Sequence, residues 1–330
     1  MSVAKTIART VVYPFITALG IERLFASLNK NNKLILVYHG VVDSPDHTLS
    51  PGPIATSQFK QHLVYFKKHF DIVSLDEIFE MYRNDHTPKR KTIAITFDDG
   101  YENNYTNAFP LLKKMDVPAT IFVVSQLLEG NYVTWYDLLF LLRKDLKTEL
   151  IDTGVVGAHR VKSFDGLLDL TKSLKIEERE KLMNEIRRLL PQKDYTASYP
   201  PEHWRLMNKE QLQEMASLPF IEIGAHSHNH PNLGLIDIES ASTEMLDCKK
   251  MLEDAIQKEV KSIAYPDGSY NDKVKEMSLR LGYKNLLAVD YRCFSDKNDK
   301  NVLPRYCISS TTTFESNMIN VNMHFGTYGF

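Results

Sequence analysis

The stretch KTIAITFDDG, residues 91–100, decides the fold. Its first seven residues are dominated by β-branched and aromatic side chains, and Asp98-Asp99-Gly100 ends this run abruptly. A continuous run of such residues is typical of a strand that is buried on both faces, as in a parallel sheet. The segment therefore predicts a core β-strand that carries two adjacent carboxylates at its carboxyl end.

Similar runs recur along the chain and alternate with helical patterns. Further strands are predicted at KLILVY (33–38), ATIFVV (119–124), FIEIG (220–224), 261–265 and 285–289. Helices are predicted at 57–70, at 74–82 behind a capping box that Ser74 and Glu77 form, and at 105–115, 238–258 and 272–281. Repeated strand–helix alternation predicts an α/β fold with a parallel sheet, either open or closed into a barrel.

The middle third of the chain breaks this alternation. From about residue 128 to residue 217 the sequence is helical and highly charged, without a sharp strand pattern. We interpret this segment as a helical insertion between two strands of the sheet. Residues 1–32 are assigned to an N-terminal helical lead-in and residues 33–330 to one large α/β domain, whose length a single barrel can accommodate.

The composition excludes several classes of protein. The 330 residues include 40 basic and 42 acidic ones, a net charge of −2, whereas a nucleic-acid-binding protein would show a basic excess. The three cysteines form no CxxC pair, which argues against a zinc ribbon or a thioredoxin-type site. No apolar run reaches about 18 residues, so no transmembrane helix is predicted.

The first 28 residues allow two interpretations. Lys5, Arg9 and Arg23 surround an apolar stretch, residues 10–21, which Pro14 interrupts. We favour a helical lead-in that packs on the domain; the alternative is a helix on a membrane surface with its cations near the headgroups. Because no convincing cleavage site follows, we expect a cytoplasmic protein, with the inner membrane face as a place of contact. The pattern is also compatible with a weak export signal.

Two segments carry the chemistry, and each follows a predicted strand at the edge where parallel α/β proteins bind ligands. The adjacent carboxylates of Asp98 and Asp99 repel each other, and a cation relieves this repulsion if one carboxylate binds it while the other stays free as a base. His226 and His230, in GAHSHNHPNL (224–233), are four residues apart and can face one side of a turn. Two imidazoles and one carboxylate form the open three-ligand site of catalytic zinc. A turn or a solvated histidine cluster would explain either segment alone.

These segments resemble the first two motifs of the polysaccharide deacetylase family, the NodB-homology carbohydrate esterases of family four. A third segment, Ala264-Tyr265-Pro266-Asp267-Gly268, is similar to the Pro-x-Gly loop of that family. Tyr38-His39-Gly40 resembles the branch that deacetylates poly-N-acetylglucosamine-like exopolysaccharides. The resemblance covers roughly residues 33–127 and 218–308. It implies a distorted (β/α) barrel of the NodB type, interrupted by the helical insertion.

The resemblance also implies a role for each matching residue. Asp98 matches the general base of the family. The backbone N–H of Asp267 matches a donor to the oxyanion. The metal ligands are matched by Asp99, His226 and His230.

The general acid and the residue that tethers the base are assigned less directly. In the exopolysaccharide branch an early histidine replaces a late one, so we prefer His39 to His324 as the acid. The family usually has an arginine shortly before the Pro-x-Gly loop, where this chain has Lys261-Ser262. Arg305 is therefore a candidate for the tether, with an ordinary surface ion pair as its equal alternative. The residue between Pro266 and Gly268 is usually aromatic in the family, but here it is Asp267, which argues against sugar stacking at that position.

The function that follows is a metal-dependent hydrolase that removes N-acetyl groups from amino sugars of a surface polysaccharide or exopolysaccharide, or its precursor. Zn²⁺ is the expected cofactor, with Co²⁺, Ni²⁺ or Mn²⁺ as alternatives, and the expected partner is a glycan rather than a nucleic acid. Two other functions stay open: an amidase for a ring or other small-molecule amide, and an inactive carbohydrate-binding protein. Trp135 and Trp204, near the ends of the insertion, could stack on sugars, although core packing is the commoner fate of tryptophan. The sequence sets neither the sugar nor the oligomeric state.

Overall fold

The computed structural model describes residues 12–21, 32–130, 132–153, 155–156, 159–189, 194–290 and 294–325. Most of the predicted lead-in, residues 1–11 and 22–31, therefore lies outside the described residues, and its division from the domain at residue 33 stays a prediction. None of the helices in the part that the structure describes combines the length and the apolar character that a membrane span needs.

The predicted strands are confirmed, with ends shifted by at most one residue, and several short strands join them. In chain order the strands are β1 (Lys33–Tyr38), β2 (Val41–Val42), β3 (Ile54–Ala55), β4 (Asp71–Ile72), β5 (Thr92–Phe97), β6 (Ala119–Val123), β7 (Val155–Val156), β8 (His159–Arg160), β9 (Ile221–Ala225), β10 (Ser262–Ala264), β11 (Asn285–Ala288), β12 (Val302–Pro304) and β13 (Tyr306–Cys307). The main sheet is parallel in the order β12-β11-β10-β9-β6-β5-β1-β13, and β4 pairs with β5.

The sheet curls into a nearly closed barrel, and the chain itself shows how. β12 and β13 lie on opposite edges of the sheet, yet only Arg305 separates them in sequence. Two edges that are one residue apart must lie side by side, so the strand order closes on itself. The sequence leaves open whether the sheet is open or closed; the structure has the (β/α) barrel that the resemblance implies.

Alternate residues of the strands face the barrel interior. Ile35, Ala94 and Phe122 share one buried cluster, to which three more strands contribute Ala264, Leu287 and Leu303. Successive side chains of a strand point to opposite faces, so residues two and four places further on face the interior as well. This rule places His39, Asp98 and Arg305 on the inner side at the carboxyl end of the barrel. The opposite faces of the strands pack against helices in the largest core cluster.

The helices surround the barrel and build the insertion. In chain order they are α1 (Tyr13–Leu19), α2 (Thr56–His69), α3 (Leu75–Arg83), α4 (Phe109–Met115), α5 (Trp135–Thr153), α6 (Phe164–Ser173), α7 (Ile176–Leu189), α8 (Tyr195–Ser198), α9 (Lys209–Ser217), α10 (Ile238–Ile256), α11 (Asp272–Arg280) and α12 (Phe314–His324). The capping box of Ser74 and Glu77 is confirmed at the start of α3. The helix predicted at 105–115 begins as a π-helical turn and becomes α-helical at Phe109. Pro110, without an N–H, cannot donate the bond that would continue an α-helix.

The insertion has a hydrophobic core of its own. Its buried members run from Trp135 to Trp204 and come from α5, α6, α7 and the segment around Trp204. The last helix of the predicted insertion, α9, instead packs Leu212 and Met215 into the core of the barrel. The separately packed part thus lies inside the predicted range of 128–217.

Candidate active site

Every residue for which the sequence predicts a catalytic or metal-binding role, except His324, lies at the carboxyl end of the barrel. Register explains this for the first two: Tyr38 pairs with Phe97, so His39 and Asp98 leave neighbouring strands at the same level. The amide of Asp98 donates to the carbonyl of Tyr38 over 2.9 Å. Since all strands of the barrel are parallel, their carboxyl ends gather side chains that are far apart in sequence.

Asp99, His226 and His230 form a buried cluster whose ligand atoms all lie within 4.8 Å of one another. The Nε2 atoms of His226 and His230 lie 3.5 and 3.3 Å from Oδ1 of Asp99. Two ligand atoms that are each about 2.1 Å from a tetrahedral zinc ion lie roughly 3.4 Å apart. Oδ2 of Asp99 is buried and has no hydrogen-bond partner among the described residues, which suits a carboxylate that a cation would satisfy. The residues fit a divalent metal.

The protonation of the cluster also suits a metal. Burial lowers the pKa of His226, so its imidazole is neutral at pH 7. Its Nδ1 lies 2.8 Å from the carbonyl oxygen of Ala264, which directs the lone pair of Nε2 towards the cluster. Burial opposes ionisation of Asp99, but the adjacent histidines hold its pKa well below its usual range.

The backbone around these ligands is strained. Asp99, Ser227 and His230 have φ values of 73°, 63° and 53°, in the left-handed region that non-glycine residues rarely adopt. Gly100, which follows Asp99, has φ 79° and can adopt this conformation without strain. Such strain persists only where neighbouring contacts over-determine the backbone, and it concentrates at functional sites. His226 and His230 therefore join the same candidate metal cluster across a tight loop rather than along a helix.

Asp98 lies beside the cluster but belongs to a different pair. Arg305 grips its carboxylate with two bonds, Nη1 to Oδ1 at 2.6 Å and Nη2 to Oδ2 at 2.7 Å. Arg305 is only 1% exposed, so this pair is inside the barrel rather than on the surface. Burial alone would raise the pKa of Asp98; the charge and hydrogen bonds of Arg305, with help from His226, hold it below its usual value. Asp98 is therefore ionised at neutral pH.

His39 faces the same cleft, whereas His324 is not among the described residues that line it. Burial opposes the charged form of His39, but a hydrogen bond with Cys307 and the charges of Asp99 and Asp98 outweigh burial and raise its pKa to about 10. A cation on Asp99 would offset part of this increase. His324 lies at the end of α12, where its ring packs on Tyr306 at 4.0 Å between centroids.

The loop after β10 brings Asp267 to the edge of the cleft. Asp267 and Gly268 both have left-handed φ values, 52° and 61°, and a Cβ on Gly268 would lie 2.8 Å from the backbone nitrogen of Val289. The side chain of Asp267 pairs with Lys172 of α6 at 2.8 Å. Asp267 thus lines the cleft while its acidic side chain is bound to the insertion.

The cleft itself has a volume of about 580 Å³, within the usual range for small-molecule sites. One wall comes from the barrel and the other from the insertion, which contributes Trp135, Tyr136, Phe140, Leu168 and Lys172. Trp135 also belongs to the core of the insertion, where Trp204 packs away from this cleft.

Several residues of the site have no clear signal in the sequence. The hydroxyl of Tyr101 donates to the buried carboxyl of Asp137 over 2.9 Å, and the ring of Tyr136 stacks on His230 at 6.0 Å between centroids. Burial raises the pKa of Asp137 well above its usual value. The amide of Asp137 donates to the hydroxyl of Thr134, which donates to the carboxylate of Asp137; a threonine in this position indicates a helix start but not the partners across the cleft.

The fold and the site define a (β/α) barrel with a buried Asp-His-His cluster that fits a divalent metal, beside a second, tethered carboxylate. The sequence profile of the family described as "Polysaccharide deacetylase" matches residues 85–286. The chain belongs to the polysaccharide deacetylase family. The resemblance and the enzyme class that it implies are thereby confirmed at the level of the family.

Individual relatives are distant. YxkH of Bacillus subtilis (strain 168) is 22% identical over 251 residues, which are 76% of this chain and 62% of that protein, so the match spans less than two thirds of it. The poly-β-1,6-N-acetyl-D-glucosamine N-deacetylase of Staphylococcus aureus (strain MRSA252) is 22% identical over 265 residues, 78% of this chain and 68% of that protein.

Two solved structures show the same fold. IcaB from Ammonifex degensii superposes with a TM-score of 0.59 at 16% identity and covers 89% of this chain and 98% of its own. The deacetylase PplD of Streptococcus pyogenes, solved in complex with acetate, gives 0.57 at 22% identity, with 87% and 96% covered. At these identities the structural similarity supports the (β/α) barrel fold and nothing further.

Proposed function

We propose that this chain is a metal-dependent hydrolase that removes N-acetyl groups from amino sugars of a surface polysaccharide or exopolysaccharide, or of its precursor. One observation carries the proposal: a buried three-ligand cluster stands beside a second carboxylate, Asp98, which Arg305 holds outside the ligand set. The name of the Staphylococcus aureus relative supports an N-acetylglucosamine polymer as the substrate class.

Asp99, His226 and His230 would hold the cation, and the mixed nitrogen and oxygen donors suit zinc, with cobalt, nickel or manganese as alternatives. A divalent cation bound there would polarise the acetamide carbonyl and lower the pKa of water towards about 7.

Asp98 is the proposed general base. It accepts a proton from the attacking water while the water oxygen forms a bond to the acetamide carbon. Its pKa, lowered by Arg305, keeps it ionised, and the two bonds from the guanidinium fix the plane of the carboxylate. A positioned base of this kind contributes about 10²–10⁴-fold to the rate.

His39 is the proposed general acid. It gives a proton to the sugar nitrogen as the C–N bond breaks, so the sugar leaves as a neutral amine and the acetyl group as acetate. Its raised pKa means that it carries the required proton at pH 7. We assign the backbone N–H of Asp267 as a donor to the oxygen on which negative charge develops.

Metal analysis combined with acetate release tests the proposal. Poly-N-acetylglucosamine and chitin-type oligomers serve as substrates for the purified full chain. We expect Asp98→Asn to keep the metal and lose about 10²-fold or more of its turnover, and His226→Ala to lose both. The metal dependence would be refuted if wild-type protein contained no divalent metal and released acetate in the presence of a chelator. No acetate from either oligomer with metal-loaded protein would refute the substrate class.

The place of the protein in the cell is a separate proposal, carried over from the sequence: the cytoplasm, with contact between residues 1–28 and the membrane surface as the alternative to a lead-in that packs on the domain. Phe15 and Leu19 of α1 are largely exposed and are compatible with such a contact. Co-sedimentation with anionic vesicles should fall for Phe15→Ser and Leu19→Ser; unchanged co-sedimentation, or none for the wild type, would contradict the contact.

A further inference from the structure

The insertion contacts the loop that carries the metal ligand His230. The indole N–H of Trp135, the first residue of α5, donates to the carbonyl oxygen of His230 over 3.1 Å. Arg179 of α7 donates from Nη2 to the carbonyl oxygen of the preceding residue, Asn229, over 3.2 Å. Two adjacent carbonyls of the ligand loop are thus bound by two side chains of the insertion.

These two side chains also support each other. The guanidinium carbon of Arg179 lies 4.9 Å from the ring centroid of Trp135, a cation–π contact. Both side chains are buried, Arg179 to the extent that only 2% is exposed. Burial of a guanidinium must be compensated by hydrogen bonds or other favourable contacts, since its desolvation is costly. Here it joins the core of the insertion to the loop.

The barrel holds the same loop from the other side. The buried carboxylate of Glu244 on α10 accepts bonds from the backbone amides of His228 and Asn229 at 3.0 and 2.7 Å. Two amides of the loop thus donate to a carboxylate of the barrel, and the carbonyls of Asn229 and His230 accept from donors on the insertion. This arrangement over-determines the backbone, as the left-handed φ of His230 requires.

His230 depends on this support more than His226 does. Nδ1 of His226 is hydrogen-bonded to a backbone carbonyl, the usual way in which a ligand imidazole is oriented. Nδ1 of His230 is buried without a hydrogen-bond partner among the described residues. Its ring orientation is therefore left to the backbone that carries it and to the ring of Tyr136 stacked against it.

We infer that the helical insertion is a positioning element for the metal centre. Trp135 fixes the carbonyl of His230 and Arg179 fixes the carbonyl of Asn229, and together they hold His230 where it binds the metal. The inference rests on the metal site of the proposed function and gives a role to the insertion. Trp135 and Arg179 are positioning residues, because they act through the loop and not on the substrate.

The test compares matched tryptophans. Trp135→Phe keeps a ring beneath Arg179 but removes the N–H, and we expect zinc affinity to fall by about 10–100-fold. Trp204→Phe is the control, because Trp204 also lies in the insertion and has an arginine over its ring, but its indole N–H donates to the carbonyl of Tyr199 and not to the ligand loop. Zinc affinity of the full chain is measured by competition with a chromogenic chelator.

Three further variants test the arginine. Arg179→Met should lower zinc affinity in the same direction, Arg179→Lys should restore part of it, and Arg205→Met is the control. The absorption spectrum of the cobalt-substituted protein reports the geometry around the metal and should change in Trp135→Phe and Arg179→Met. Thermal unfolding of the metal-free variants shows whether each of them is folded. Zinc affinity and cobalt spectra equal to the wild type in both variants would overturn the inference, as would an equal loss in the controls.

The two proposals fail separately. If zinc binding weakens as expected while no variant or wild-type protein releases acetate, the positioning role stands and the proposed function falls. If the wild type releases acetate and Trp135→Phe binds zinc as tightly as the wild type does, the proposed function stands and the positioning role falls.

Discussion

Replacing Arg305 by methionine should destabilise the protein and move its pH dependence. Methionine replaces the aliphatic stem of arginine but has no charged group, so the carboxylate of Asp98 stays buried without its partner. Asp98 is 4% exposed and Arg305 1%, and both carboxylate oxygens are bonded to the guanidinium. Removing one partner of such a buried pair costs about 3–5 kcal/mol of unfolding free energy at neutral pH.

The sign of the pH effect follows from the two pKa values of Asp98. In the wild type its folded-state pKa is lowered, so its charge contributes stability that is present above the unfolded pKa of about 3.9 and is lost as pH falls. In the variant, burial is no longer opposed by Arg305 and raises that pKa. The stability of the variant then falls as pH rises. The difference between the two proteins should therefore widen from pH 4 to pH 7.

Urea unfolding at both pH values, with metal removed, measures this difference. Arg205→Met is the control, because Arg205 makes a partly exposed 3.7 Å ion pair with Glu102, worth about 0–1 kcal/mol. The double variant Arg305→Met/Asp98→Asn should recover much of the loss, since no charge is left buried. In the metal-loaded single variant the acid limb of kcat/KM should move to higher pH. A loss below about 1 kcal/mol, equal to that of the control, would refute the reasoning.

Three further predictions concern other parts of the molecule. His39→Ala should lower turnover about 10²-fold or more while His324→Ala leaves it unchanged, as measured by acetate release; equal effects would contradict the choice of acid. Gly268→Ala should lower kcat/KM and destabilise by more than Gly130→Ala, which bears only left-handed strain of roughly 1–2 kcal/mol because no atom lies within 4 Å of its Cβ; thermal unfolding compares the two. Burial raises the pKa of Glu222 to about 7, so its folded form keeps a proton that the unfolded chain loses, and unfolding free energy should fall by roughly 3 kcal/mol between about pH 4.5 and pH 7. Glu222→Gln should remove that fall in urea unfolding, and an unchanged pH profile would contradict it.

The sequence predicts well what depends on a few consecutive residues. β1 is found at Lys33–Tyr38, as its apolar run predicts, and Ser74 and Glu77 cap α3 as their spacing predicts. The bounds of the short strands β12 and β13 are not predicted, because three and two residues hold too little pattern. α12, which begins at Phe314, is likewise found only in the structure.

The candidate metal ligands could also be predicted from the sequence. Asp99, His226 and His230 follow strand patterns, and parallel strands end at one edge, so their convergence could be predicted before any distance was known. Their roles stay predictions, but the structure brings them together as a cluster.

Other features depended on tertiary structure, because their partners are far apart along the chain. Arg305 meets Asp98 across 207 positions, and only closure of the barrel through β12 and β13 brings it inside. Trp135 reaches the carbonyl of His230 across 95 positions, because the insertion folds back over the ligand loop. Local patterns record which face of a strand or helix is buried; which distant element covers that face is decided by the packing of the whole chain.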